Sequence, residues 1–180
     1  YQAHPDWFAS ENGRFRNCGR ENIWEDAYWG TRCAFTDYLP PFEFENDDPS
    51  RYDSAEAARA WSVADAIWWA KEFGIDGYRL DAIKHVPFSW LTDLRDALDE
   101  AFPETPGDRF YLVGETFDYD NIGNLARFVD PSEMLDGQFD FPMKARLCEG
   151  VFKGGMQNLQ GWMDDVNEGA YGPGALMTTW

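Results

Sequence analysis

Apolar residues recur at Ala57, Trp61, Ala64 and Trp68, the spacing of one face of a helix. The helix starts at Asp53 or Ser54, where Asp53 with Glu56 resembles a capping box, and it runs to about Phe73. Its stripe is expected to face a sheet. Gly74 stands where a C-cap glycine belongs. From Ile75 the period changes to two, predicting a strand to Asp81. Ile75, Gly77, Arg79 and Asp81 share one face; Asp76, Tyr78 and Leu80 share the other. A second helix is expected over Trp90 to Phe102, burying Leu91, Leu94, Leu98 and Ala101, and Pro103 and Pro106-Gly107 end it. A strand follows at Phe110 to Val113, then a short helix around Ile122 to Phe128. Leu135 to Phe141 alternates as a third strand, with Leu135, Gly137, Phe139 and Phe141 on one face. Helices are expected at Lys144 to Phe152 and at Leu159 to Val166, divided by Gly154-Gly155. Gly169 to Gly174 reads as a loop, and Ala175 to Trp180 opens a last strand. Residues up to Tyr52 show little periodicity; Asn12-Gly13 marks a turn and Pro40-Pro41 blocks regular pairing.

This rhythm of strand and helix means an α/β fold with a parallel sheet and helices outside. A doubly wound sheet and a closed barrel both fit the pattern. No glycine-rich dinucleotide fingerprint follows any strand, which weakens the nucleotide-binding version.

Charge collects at the ends of two strands. Arg79 and Asp81 share a face at the end of the first, and a nearby guanidinium favours the ionised carboxylate. Phe110-Tyr-Leu-Val-Gly-Glu115 ends in a carboxylate too, with Tyr111, Val113 and Glu115 on one face. Gly114 leaves room for something to approach the backbone. The two acids are about 34 residues apart, near the length of one strand–helix–strand unit. In neighbouring parallel strands they would emerge at one sheet edge, as glycoside hydrolysis requires of its acid and its nucleophile or base. An Arg–Asp pair that merely closes a strand is the plainer alternative for Arg79 and Asp81.

Gly77-Tyr-Arg-Leu-Asp-Ala-Ile-Lys-His85 resembles the strand-four motif of the alpha-amylase family, glycoside hydrolase family thirteen, and Val113-Gly-Glu115 resembles its strand-five motif. The resemblance implies a partial TIM (β/α)8 barrel, about strands four to seven, over residues 53–180. A loop-rich inserted subdomain would precede it over residues 1–52. It makes Asp81 the nucleophile, Glu115 the general acid/base and Arg79 the arginine that holds the nucleophile. Lys84 and His85 would contact sugar on the leaving-group side, and Phe117 would project into the cleft beside Glu115. Calcium is the cofactor implied, with the His85 backbone carbonyl as a donor. Pro41, in Leu39-Pro-Pro-Phe-Glu-Phe44, stands where the family has a calcium-binding aspartate; Glu43, Asp47 and Asp48 are oxygen donors nearby. A complete barrel takes roughly 250 residues, so the partner expected is the remainder of the same barrel. The chain alone is expected to show little turnover.

Composition narrows the partners. The 180 residues carry 33 acidic and 15 basic side chains, a formal charge of −18. Such a field repels nucleic-acid backbones and anionic membrane surfaces, whereas a neutral α-glucan fits. Apolar content of 44% is ample for a core, and no apolar run reaches the roughly 18 residues of a membrane-spanning helix. Three cysteines allow one internal disulfide; Cys18 and Cys33 share a polar loop region, and Cys148, in a helical pattern, is expected to be a buried thiol. No spacing suggests a zinc site. A secreted or periplasmic location is expected.

The activity expected is therefore retaining hydrolysis of internal α-1,4-glucosidic bonds. Lys84-His-Val-Pro-Phe88 also resembles the strand-four loop of cyclodextrin glucanotransferases, so glucan transfer is the runner-up. A non-catalytic glycan-binding or structural remnant is the alternative of another class. A metal-dependent phosphotransferase is more remote, because the strand ends offer little basic support for phosphate.

Overall fold

The computed structural model describes residues 2–11, 14–19, 24, 26–36, 38–105, 108–153, 160 and 176–178. Asn12-Gly13, Pro106-Gly107, Gly154-Gly155, the helix expected at Leu159 to Val166 and the loop at Gly169 to Gly174 lie in whole or in large part outside them. The chain divides into two compact units, Tyr1–Ile75 with Lys84–Pro103, and Asp76–Ile83 with Glu104–Trp180.

The first unit is irregular up to its long helix. Two short antiparallel strands, β1 (Ser10–Glu11) and β2 (Arg14–Phe15), pair in the register Ser10↔Phe15. A single turn, α1 (Ala27–Gly30), is capped by the Asp26 carboxylate, which accepts from Tyr28 N and Trp29 N. Long-range backbone bonds replace regular ladders here: Ala9 N–H donates to Pro41 O at 3.0 Å and Glu43 N–H to Trp7 O at 2.9 Å. Cys18 and Cys33 are joined in a disulfide. The carboxylate of Glu43 is buried between Arg16 at 2.9 Å and Arg51 at 2.7 Å. A buried charge persists only when paired in this way.

Helix α2 (Tyr52–Phe73) ends as its glycine predicts: Gly74 takes φ 61°, ψ 47°, and its N–H bonds Ala70 O. Two expectations for this helix need correction. The capping box does not form: the N-cap is Arg51, without a side-chain cap bond. Asp48 instead caps the 3-10 turn Pro49–Arg51 that runs into the helix. The stripe is also inverted. Ala55, Ala58, Val63 and Ala70 are buried, whereas Ala57, Trp61, Ala64 and Trp68 are exposed. The helix is apolar on more than one side, so periodicity could not choose between faces. Small side chains occupy the close-packed side. Helix α3 (Phe88–Ala101) packs on α2, with Trp90 Nε1 donating to Ser62 Oγ at 3.1 Å and Arg59 paired to Asp93. Leu91, Leu94 and Leu98 are buried in it as expected, together with Arg95.

The second unit holds a four-stranded parallel sheet: β3 (Gly77–Leu80), β4 (Tyr111–Gly114), β5 (Gly137–Phe139) and β6 (Leu176–Thr178), in chain order. Between β4 and β5 lies α4 (Ile122–Ala126), whose N-cap Asn121 accepts from Asn124 N. After β5 come α5 (Phe141–Ala145) and a wider π-helical stretch, Arg146–Lys153. Cys148, on that stretch, is free and half-buried rather than enclosed. Among the described residues the strand order follows the chain without the reversal that marks the switch point of a doubly wound sheet.

Candidate active site

Register explains why two distant carboxylates meet. Strand β3 lies against β4 with Arg79 opposite Val113 and Leu80 opposite Gly114. Pairing continues past both strand ends: Glu115 N–H donates to Leu80 O and Ile83 N–H to Glu115 O, each at 2.9 Å. Glu115 is thus clipped on both sides to the segment that carries Asp81.

Two glycines allow this approach. A Cβ on Gly77 would lie 2.6 Å from Tyr111 O, so only a residue without a side chain lets the strands close there. A Cβ on Gly114 would lie 2.5 Å from Leu135 Cδ1; what approaches that glycine is the next segment's side chains. Behind Glu115, Gln138 Nε2 donates to Thr116 Oγ1 at 3.0 Å, and both residues are buried.

At the sheet edge the Arg79 guanidinium spans both acids. Its Nη1 lies 2.9 Å from Asp81 Oδ1, and its Nη2 pairs with Glu115 Oε2. The reading of Arg79 as holding Asp81 alone therefore widens: it holds the pair. Its guanidinium also lies over the Phe139 ring, 5.6 Å from the centroid. The Asp81 side chain is 72% exposed and that of Glu115 22%. Ala82, immediately after Asp81, has φ 49°, a left-handed conformation uncommon for alanine, and such strain concentrates where a side chain must be aimed.

The two acids titrate in opposite directions. Burial, then the hydrogen bond with Asp81, raises Glu115 above the ordinary 4.5, while Arg79 opposes the rise. The same hydrogen bond, now received from Glu115, is the largest cause lowering Asp81; Arg79 and the Ala82 N–H add to it, and burial opposes. Of the two, Glu115 is the group whose protonated form is favoured and Asp81 the one whose ionised form is favoured. A protonated acid beside an ionised carboxylate can donate to a leaving group and attack as a nucleophile.

Phe117 is exposed at 53%, with its ring 5.0 Å from Tyr119 and 5.3 Å from Phe141. Lys84 and His85 fall in the first unit, among aromatic neighbours. Lys84 Nζ sits 4.1 Å from the centroid of the Trp24 ring. The His85 ring meets Trp24 and Phe35 edge-on, at 5.4 and 4.4 Å. Its Nδ1 lies 3.1 Å from Gly30 O, the geometry of an Nδ1–H donor, which leaves Nε2 as a buried acceptor without a partner among the described residues. Burial first, with Lys84 adding to it, lowers His85 to about 4, so the ring is neutral near pH 7.

The sequence reading did not single out Phe139, Trp24, Phe35 or Ala82. For Phe139 a signal existed: Val113 pairs with Gly137, so the same count of two leads from Glu115 to Phe139. Trp24 and Phe35 belong to a stretch without periodicity, and nothing in the sequence pointed to them.

Among the described residues no three His, Cys, Asp or Glu side chains converge as metal ligands. The acids considered for calcium are engaged: Glu43 by Arg16 and Arg51, Asp47 by Tyr28 and Arg32, and Asp48 as a cap. These three do not fit a shared cation.

No protein-family model matches the chain. Among curated proteins, an alpha-amylase of Bacillus licheniformis is 30% identical over 124 residues, covering 69% of this chain and 22% of that protein. The chain belongs to the alpha-amylase family. A cyclomaltodextrin glucanotransferase of Geobacillus stearothermophilus is 30% identical over 108 residues, 60% of this chain and 14% of that enzyme. In fold, the chain is similar to the crystal structure of an Anoxybacillus alpha-amylase, with a TM-score of 0.70 and 22% identity, over 99% of this chain and 34% of that one. The chain thus spans between 22% and 28% of the length of the first three curated relatives it matches.

Proposed function

We propose that this chain supplies the nucleophile and the general acid/base of a retaining hydrolase that cleaves internal α-1,4-glucosidic bonds of starch-like glucans. The observation that carries the reading is the single guanidinium, Arg79, bridging Asp81 and Glu115 at one sheet edge. Glu115, protonated, gives its proton to the glycosidic oxygen while Asp81 attacks the anomeric carbon. Water, deprotonated by Glu115, then displaces the sugar from Asp81. That one guanidinium reaches both carboxyls supports the short separation of retaining enzymes, about 5–5.5 Å, over the 6.5 Å or more of inverting ones.

In this reading β3 to β6 are strands four to seven of a (β/α)8 barrel. Residues 1–52 form the inserted subdomain and residues 53–180 the barrel portion. The remainder of the barrel is the partner, and the enzyme works outside the cytoplasm on an α-glucan. Among the described residues no helix is long and apolar enough to cross a membrane. Lys84, His85 and Phe117 are assigned to sugar. The His85 carbonyl stays the expected calcium donor, and no step above uses the ion.

The test is Asp81→Asn in the full-length protein, which is expected to lower kcat on soluble starch by about 10³-fold or more, since removing a nucleophile costs several kcal/mol of barrier. Near-normal hydrolysis by that variant would refute the assignment. Transfer is the second reading, motivated by the glucanotransferase similarity. Chromatography of products separates them: short linear glucans mean hydrolysis, cyclic or lengthened ones mean transfer.

A further inference from the structure

The first unit contains a cavity of about 430 Å³ built from none of the residues of the carboxylate pair. Its aromatic wall is Tyr28 and Trp29, the exposed pair of α1, 44% and 37% accessible, with their rings edge to face at 4.9 Å. Asp26 caps the backbone of both, and the Arg32 guanidinium lies 4.1 Å from the centroid of the Tyr28 ring. The Tyr28 hydroxyl donates to Asp47, which lines the cavity with it. The Tyr28 ring is therefore held in place before any ligand arrives, with the Trp29 ring edge-on to it, which lessens the ordering that opposes binding.

The polar wall is equally fixed. Arg16 is anchored to Glu43 at 2.9 Å and to Arg32 O at 3.2 Å. Arg32 is anchored to Glu45 at 3.3 Å and to Tyr28 O at 3.2 Å. The Nε–H of Arg32 is nevertheless buried and meets no acceptor among the described residues. A donor of that kind costs free energy until something accepts from it. Asn46 adds an amide to the lining.

Charge selects the class of ligand. The two arginines are matched within the lining by Glu11 and Asp47, in a chain of net charge −18, so an anion gains nothing by entering. Aromatic faces beside fixed amide, carboxylate and guanidinium groups suit a neutral molecule with apolar faces and a rim of hydroxyls, which is a sugar.

We infer that this cavity binds a segment of neutral α-glucan, as a carbohydrate site additional to the carboxylate pair, with Trp29 and Tyr28 as its platform. That the sugar is an α-glucan rests on the function proposed above; that it is a neutral sugar rests on the lining alone. The site holds polymer without cleaving it.

Calorimetric titration of maltoheptaose into the full-length protein carrying Asp81→Asn and Glu115→Gln tests this. Two ligands are expected per chain. Adding Trp29→Ala should abolish one of them or weaken it about tenfold or more, with circular dichroism unchanged; Trp29→Phe, which keeps a ring, should retain it. A single ligand per chain, or two that Trp29→Ala leaves alone, overturns the inference. Should Trp29→Ala not fold, Tyr28→Ala decides: it removes the neighbouring ring of the platform together with its Asp47 bond, and unchanged affinity at both sites overturns the inference equally. Failure of the proposed hydrolysis would show separately, as activity surviving Asp81→Asn, and cellohexaose in place of maltoheptaose tells neutral sugars in general from α-glucans.

Discussion

The chemistry of the site reduces to where one proton sits. Hydrolysis by this pair needs Asp81 ionised and Glu115 protonated, so kcat/KM is bell-shaped in pH, with limbs that belong to the pair as a whole. Asp81 is lowered, which puts the acid limb below the usual carboxylate range; Glu115 is raised, which puts the alkaline limb above 4.5. Arg79 lowers both groups. Replacing it with Gln therefore moves both limbs to higher pH, alongside any loss of rate. Profiles of kcat/KM on maltoheptaose check this, and limbs that stay put in Arg79→Gln would contradict it. The sequence made Arg79, Asp81 and Glu115 legible because period two fixes which side chains share a face. It did not reveal that Glu115 is raised while Asp81 is lowered, since that depends on how far each side chain is buried and on contacts across the two strands.

At the scale of elements, strand contact rather than helix packing sets the spacing of the acids. Gly77 and Tyr111 touch backbone to backbone, two residues before the guanidinium that joins the two strands. Gly77→Ala forces a methyl group into Tyr111 O. Overpacking of this sort costs about 1–3 kcal/mol, so the melting temperature of the full-length protein should fall by several degrees, with kcat falling as the acids separate. An unchanged melting curve would mean that the strands do not depend on the contact. The strands were legible to within two residues because half-burial imposes a clear alternation. Helix α2 was legible in extent but not in orientation. Alanine and tryptophan alike count as apolar in a periodicity, yet Ala58 and Ala70 are enclosed while Trp61 and Trp68 lie open. The region before Tyr52 was opaque for another reason. Its order comes from a disulfide, the buried Glu43 and long-range backbone bonds, none of which leaves a period in the sequence.

For the molecule as a whole, the two acids are one part of a machine. In the proposed reading the remaining barrel walls the cleft and excludes water. The 180-residue chain by itself is accordingly expected to turn over soluble starch at less than about 1% of the full-length rate, because misplacing reacting groups by about 1 Å already costs about 10²-fold. A reducing-sugar assay on both proteins decides it, and comparable rates would mean that the chain is self-sufficient. The bond between Cys18 and Cys33 carries a consequence for biosynthesis. It closes a sequence separation of 15 residues, and Cys18 itself borders the sugar cavity. In a glutathione-rich cytosol such thiols stay reduced. Material made there would leave that border unfastened, and the choice of expression host would then alter carbohydrate retention without touching a single catalytic atom.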